Sequence, residues 1–135
     1  MLLMPGMTKI LIVEDDAGVL RFMKRGLEAE QYEVDVAEDG EKGLDLAKAG
    51  CYGVIIIDVY IPGTTGLELC KTLRKAEITT PILMMTAQDS FEIVEKGFRA
   101  GANDYLPKPF PFELLLAKIE VLDLSRTPTV FPEDI

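Results

Sequence analysis

The 135-residue chain contains no histidine and no tryptophan, only two cysteines, and 14 basic side chains against 23 acidic ones. Without histidine there is no Ser-His-Asp or Cys-His relay, no histidine-ligated zinc and no phosphohistidine of the chain's own. A formal charge of −9, with no run of Lys or Arg to offset it, would repel a nucleic-acid backbone or an anionic membrane. Neither direct nucleic-acid binding nor membrane association is expected. No apolar stretch approaches the roughly 20 residues that cross a bilayer. The start MLLMPGMTK lacks the positive n-region and cleavage site of a signal peptide. Cys51 and Cys70 lack metal-ligand spacing and read as two reduced, buried thiols, which favours the cytoplasm.

What is present suits one folded domain. The composition is 48% apolar and 27% charged, too apolar for a disordered chain. The reading divides it into an N-terminal lead over 1–8, a folded unit over 9–124 and a tail or linker start over 125–135. KILIV is a short buried strand ended by the acids EDD, and YEVDVA alternates as an edge strand does. YGVIIID and PILMMTA are fully apolar strands, and NDYLPKPF is a fifth, short one broken by prolines. Helical periodicity fills the intervals. Val19, Leu20, Phe22, Met23 and Leu27 mark the first helix, Asp39 and Gly50 bound the second, and GLELCKTLRKA forms the third. Asp89 or Ser90 caps the fourth helix, which Gly101 ends, and Pro111 opens the fifth.

Strands alternating with helices predict an α/β fold: a doubly wound, five-stranded parallel sheet of order 2-1-3-4-5 in a flavodoxin-like three-layer sandwich. In such sheets ligands bind outside the carboxyl ends of the strands, where strand order reverses. Glu14 and Asp15 end the first strand and Asp58 ends the third. Three acids meeting there repel one another unless a cation neutralises them, and Mg²⁺ suits carboxylate oxygens. The alternative for the acids after the first strand is a favourable position at the positive end of the next helix, and Asp16 reads that way. Thr86 ends the fourth strand and Lys108 follows the fifth. A hydroxyl and an ammonium beside a carboxylate-bound cation provide what the non-bridging oxygens of a phosphoryl group need.

In order and spacing, KILIVEDD, IIIDVYIPG, ILMMTA and GANDYLPKPF closely resemble the receiver domain of two-component response regulators, from Lys9 to about Leu124. The resemblance implies a phospho-accepting signalling switch in which Asp58 takes a phosphoryl group from a phosphohistidine. The donor is a sensor histidine kinase or a phosphotransfer protein. It further implies that Glu14, Asp15, Asp58 and the backbone carbonyl of Tyr60 hold Mg²⁺, with Thr86 and Lys108 at the reacting group. Such a protein is no enzyme toward other substrates; it performs self-directed phosphoryl transfer and autodephosphorylation. Thr86 and Tyr105 are implied as the coupled switch pair, and Tyr60 and Gln88 as positions that tune phosphoryl loss. The Lys108-Pro109 bond is expected to be cis.

The face made by the fourth helix, fifth strand and fifth helix is the implied output surface and a candidate homodimer interface, with Asp104 and Lys118 as a candidate pair across it. Thr65, Gly43, Pro107 and Pro111 depart from the usual pattern without touching the site residues. A haloacid-dehalogenase-like phosphohydrolase would need an acid two residues after Asp58, where Tyr60 stands. A flavodoxin-type carrier would meet repulsion between its phosphate and EDDAG. A receiver-like binding module without phosphoryl chemistry is the remaining alternative.

Overall fold

The computed structural model describes residues 8–87 and 90–124. The lead before Thr8, the tail 125–135, Gln88 and the alternative cap Asp89 lie outside the described residues. Five parallel strands, β1 (Lys9–Val13), β2 (Glu33–Ala37), β3 (Val54–Asp58), β4 (Ile82–Thr86) and β5 (Asp104–Pro107), form one sheet in the order β2-β1-β3-β4-β5. Five helices connect and follow them: α1 (Ala17–Ala29), α2 (Gly40–Ala49), α3 (Gly66–Lys75), α4 (Phe91–Ala100) and α5 (Phe112–Leu124). The architecture is the flavodoxin-like sandwich that the alternation implies.

Period-two alternation explains why the central strands are apolar throughout. Leu11, Val13, Ile55, Ile57, Ile82 and Met84 face α2, α3 and α4, whereas Ile10, Ile12, Val54, Ile56, Leu83 and Met85 face α1 and α5. Both faces of the sheet are covered, so neither set of side chains can be polar. At the edge, β2 is less covered: Val34 and Ala37 are buried on opposite faces, Asp35 and Val36 are half-buried and Glu33 is exposed. Parallel registry sets Ile57 beside Met84 and Asp58 beside Met85, carrying Asp58 to the carboxyl edge next to the end of β4.

The helix ends follow local chemistry. Asp16 caps α1 by accepting from Gly18 N and Val19 N, Asp39 caps α2 through Lys42 N, and Ser90 caps α4 through Ile93 N. Gly101, at φ 114°, ends α4 in the left-handed region. Three of the departures from the family pattern have local reasons. Thr65 caps α3 through Glu68 N at 3.1 Å. A Cβ on Gly43 would come within 2.9 Å of Val13 Cγ2, so close packing of α2 on β1 requires glycine. Pro111 stands just before the first turn of α5, where the N–H it lacks would have no helical partner.

Three details differ from the sequence reading. The segment after β3 forms a two-residue antiparallel hairpin, Tyr60–Ile61 with Thr64–Thr65, turning at Pro62-Gly63 with Gly63 at φ 85°. Cys70 is buried and donates to Ala100 O at 3.3 Å, but Cys51, in the α2–β3 connection, is exposed. Phe22 is 47% exposed and packs outside the core against Phe110 and Phe112. Among the described residues no helix is long and apolar enough to cross a membrane.

Candidate functional site

Where β1, β3, β4 and β5 end, the interior meets solvent with three polar side chains still buried: Glu14 at 1% exposure, Asp58 at 5% and Thr86 at 1%. Glu14 remains in sheet registry, its N–H donating to Ala37 O at 3.0 Å. Its Oε2 accepts from the N–H groups of Asp15 at 3.0 Å and Asp16 at 3.4 Å. Asp58 Oδ1 accepts from Tyr60 N–H at 3.0 Å, which fixes the carboxylate against the turn into the hairpin.

Lys108 joins the two acids. Its Nζ donates to Glu14 Oε1 and to Asp58 Oδ2, both at 2.6 Å, and its own N–H donates to Thr86 O at 2.8 Å, extending β5 alongside β4. The Lys108-Pro109 bond is cis. Burial raises the pKa of Glu14; the Lys108 hydrogen bond opposes this and neighbouring Asp58 adds to it, leaving the group at about 7. Burial pulls the Lys108 ammonium the other way, yet its bonds to Asp58 and Glu14 prevail and its pKa is raised.

The structure thus brings together Glu14, Asp58 and Lys108. Asp15 is exposed at the rim, Tyr60 starts the hairpin at 52% exposure, and Thr86 closes β4. Tyr105 has neighbours of its own. It pairs with Met84 in β5, half-buried, with Phe98 edge-on at 6.4 Å between ring centroids and Lys118 Nζ 5.9 Å above its ring. Lys118 also bonds Asp104 Oδ2 at 3.0 Å, so this pair forms within one chain. Gly66 escaped the sequence reading: a Cβ there would overlap the Asp58 carbonyl, a closeness for which the glycine in GTTG was the signal.

Among the described residues no three His, Cys, Asp or Glu side chains gather into a metal-holding group. Mg²⁺ ordinarily takes only one or two carboxylates together with water and phosphate oxygens. Glu14 and Asp58 are two buried carboxylates that meet on one ammonium. Two neighbouring carboxylates are oxygen donors of the type that a hard cation takes.

The family model described as the response regulator receiver domain matches residues 10–120. Response regulator ArlR of Staphylococcus saprophyticus is 45% identical over 123 residues, covering 90% of this chain and 54% of that protein. The chain spans about half the length of the curated relatives it matches. A Francisella response regulator receiver domain superposes with a TM-score of 0.85 at 35% identity, covering 89% of this chain and 99% of that one. The Thermotoga maritima response regulator TrrA, solved in complex with Mg²⁺-BeF, gives 0.78 at 34% identity over 86% of this chain and 99% of that one. With 10–120 matched and the sheet order in agreement, the chain belongs to the response regulator receiver domains, the phosphorylation-activated switches of two-component systems.

Proposed function

We propose that Asp58 is the phosphoacceptor of this receiver. The observation that carries the reading is a carboxylate, 5% exposed, fixed at the end of β3 by Lys108 on one oxygen and the Tyr60 N–H on the other. Response regulators are phosphorylated by histidine kinases, and the donor for this chain is the phosphohistidine of a sensor kinase or phosphotransfer protein. An Asp58 oxygen attacks phosphorus, the P–N bond breaks, and the departing imidazole takes up a proton. The transition state is loose, so positioning and charge neutralisation matter more than a base.

Glu14, Asp15, Asp58 and the Tyr60 carbonyl would hold Mg²⁺, which when bound supplies positive charge to the non-bridging oxygens. Lys108 supplies a second cation and the Thr86 hydroxyl a donor. Loss of the phosphoryl group to water is the chain's own reaction, and it acts on no other substrate.

Drawing Thr86 toward the phosphoryl oxygens opens room for Tyr105 to turn inward, remodelling the face of α4, β5 and α5. That face is the output surface and the homodimer interface, with Asp104 and Lys118 paired inside each chain at the outset. Two free thiols fit a cytoplasmic setting, and a charge of −9 argues against direct nucleic-acid binding by this chain.

The test is intact mass after incubation with Mg²⁺ and a small-molecule phosphodonor, beside Asp58→Ala. One labile phosphoryl group on the wild type alone is the expected result. No addition with any donor or metal would favour a phosphorylation-independent binding module.

A further inference from the structure

Several helical glycines among the described residues answer to a neighbour. A Cβ would collide with Phe112 at half-buried Gly26, and, at buried positions, with Thr64 at Gly40, with Val13 at Gly43 and with the Asp58 carbonyl at Gly66. Gly97 does not fit this pattern. It is buried in the interior of α4 at an ordinary helical backbone angle, and the nearest atom to a Cβ there is Met84 Cγ at 4.0 Å. Glycine in a helix interior is unfavourable relative to alanine, so this conformation gives no reason for its presence.

The place where the missing side chain would point supplies one. Gly97 lines a narrow crevice between α4 and the sheet whose walls include Met84, Thr86, Phe98 and Tyr105. Its free volume is about 10 Å³, on the scale of a single water. In so small a space one methyl group decides whether anything else can enter.

Nor can α4 easily recede. One turn beyond Gly97, Arg74 donates from Nε and Nη2 to Gly101 O at 3.0 and 2.8 Å, and from Nη2 to Asn103 Oδ1 at 2.9 Å. Its Nη1 holds Ile78 O and Thr80 O, each at 2.8 Å. The C-terminal end of α4 is thereby tied to α3 and to the strand openings, so clearance beside Gly97 has to come from side-chain volume.

We infer that Gly97 is a clearance residue of the switch: its missing side chain keeps open the space that Thr86 and the Tyr105 ring exchange on phosphorylation. The inference rests on the Thr86–Tyr105 coupling proposed above. It makes Gly97 a positioning residue that touches neither phosphoryl group nor metal.

The experiment compares wild type, Gly97→Ala, Tyr105→Ala and the double variant by thermal melting and by titration with beryllofluoride and Mg²⁺, followed through amide NMR shifts. Gly97→Ala is expected to melt at or above wild type, because the space is open in the present state, yet to bind beryllofluoride at least about fivefold more weakly. In the Tyr105→Ala background the same substitution should leave affinity unchanged, since no ring needs the space. A lower melting temperature for Gly97→Ala, or undiminished affinity, overturns the inference while the Asp58 reading stands. A wild type that does not respond to beryllofluoride removes both.

Discussion

Gly66 packs directly against the main-chain carbonyl of Asp58, so closely that a Cβ at position 66 would overlap the oxygen. Its N–H also donates to Val59 O at 2.7 Å, which starts α3 against the backbone of the proposed phosphoacceptor. Gly66→Ala is expected to lower stability by about 1–3 kcal/mol, the usual range for overpacking, and to weaken phosphoryl uptake by tilting Asp58. Urea denaturation beside the intact-mass assay checks both effects. An unchanged midpoint would show that the turn relaxes freely and that the contact does not constrain the site.

Lys108 bonds both buried acids, and removing it leaves Glu14 and Asp58 facing each other. Breaking such a pair from one side typically costs about 3–5 kcal/mol. Here the loss depends on pH, because Glu14 can take up a proton in place of the ammonium. Lys108→Ala is therefore expected to melt well below wild type at pH 8, with a smaller deficit at pH 5.5, and to accept phosphoryl groups slowly. Equal deficits at both pH values would mean that Glu14 does not respond to Lys108.

The sheet was legible because each strand states its surroundings. Residues such as Ile55, Ile56 and Ile57 are apolar on both faces only where helices cover both, and Asp58 ends that run at the edge. Glu14, Asp58 and Lys108 were legible as strand-end residues once the order of strands placed those ends together. Tyr105's restraint by Phe98 and Lys118 was not, because it depends on the relative heights of α4 and α5 across β5, which no local pattern encodes. Nor does sequence separate exposed Cys51 from its neighbour Tyr52, which is buried in the same connection: which of the two turns inward is set by packing.

The state of Glu14 links the site to pH. Its pKa is raised from 4.5 to about 7 in the fold. Between those values the folded protein holds more protons than the unfolded chain, so this group's contribution to stability falls as pH rises across that window and levels off above it. A cation on the same carboxylate competes with the proton. Mg²⁺ affinity is therefore expected to rise by up to about tenfold per pH unit below 7 and to flatten above it, with proton release on binding. Calorimetry at pH 5.5, 6.5 and 8 in buffers of different ionisation enthalpy measures both. Binding at pH 6.5 without proton release would remove Glu14 from the metal site.

Two modest contacts meet the Tyr105 ring. Lys118 lies 5.9 Å above its ring while bonded to Asp104, and Phe98 meets the ring at 86°. A partly exposed ion pair contributes only about 0–1 kcal/mol and an exposed cation–π contact about 0.5–1 kcal/mol. A bias of that size still moves a two-state equilibrium several-fold. Lys118→Ala is expected to free the ring and raise beryllofluoride affinity by about threefold to tenfold. Because Lys118 satisfies Asp104 within its own chain, the substitution should leave self-association intact, as sedimentation with and without beryllofluoride can measure. Weakened association together with unchanged affinity would place the Lys118–Asp104 pair between chains in the activated state, with no role in restraining Tyr105.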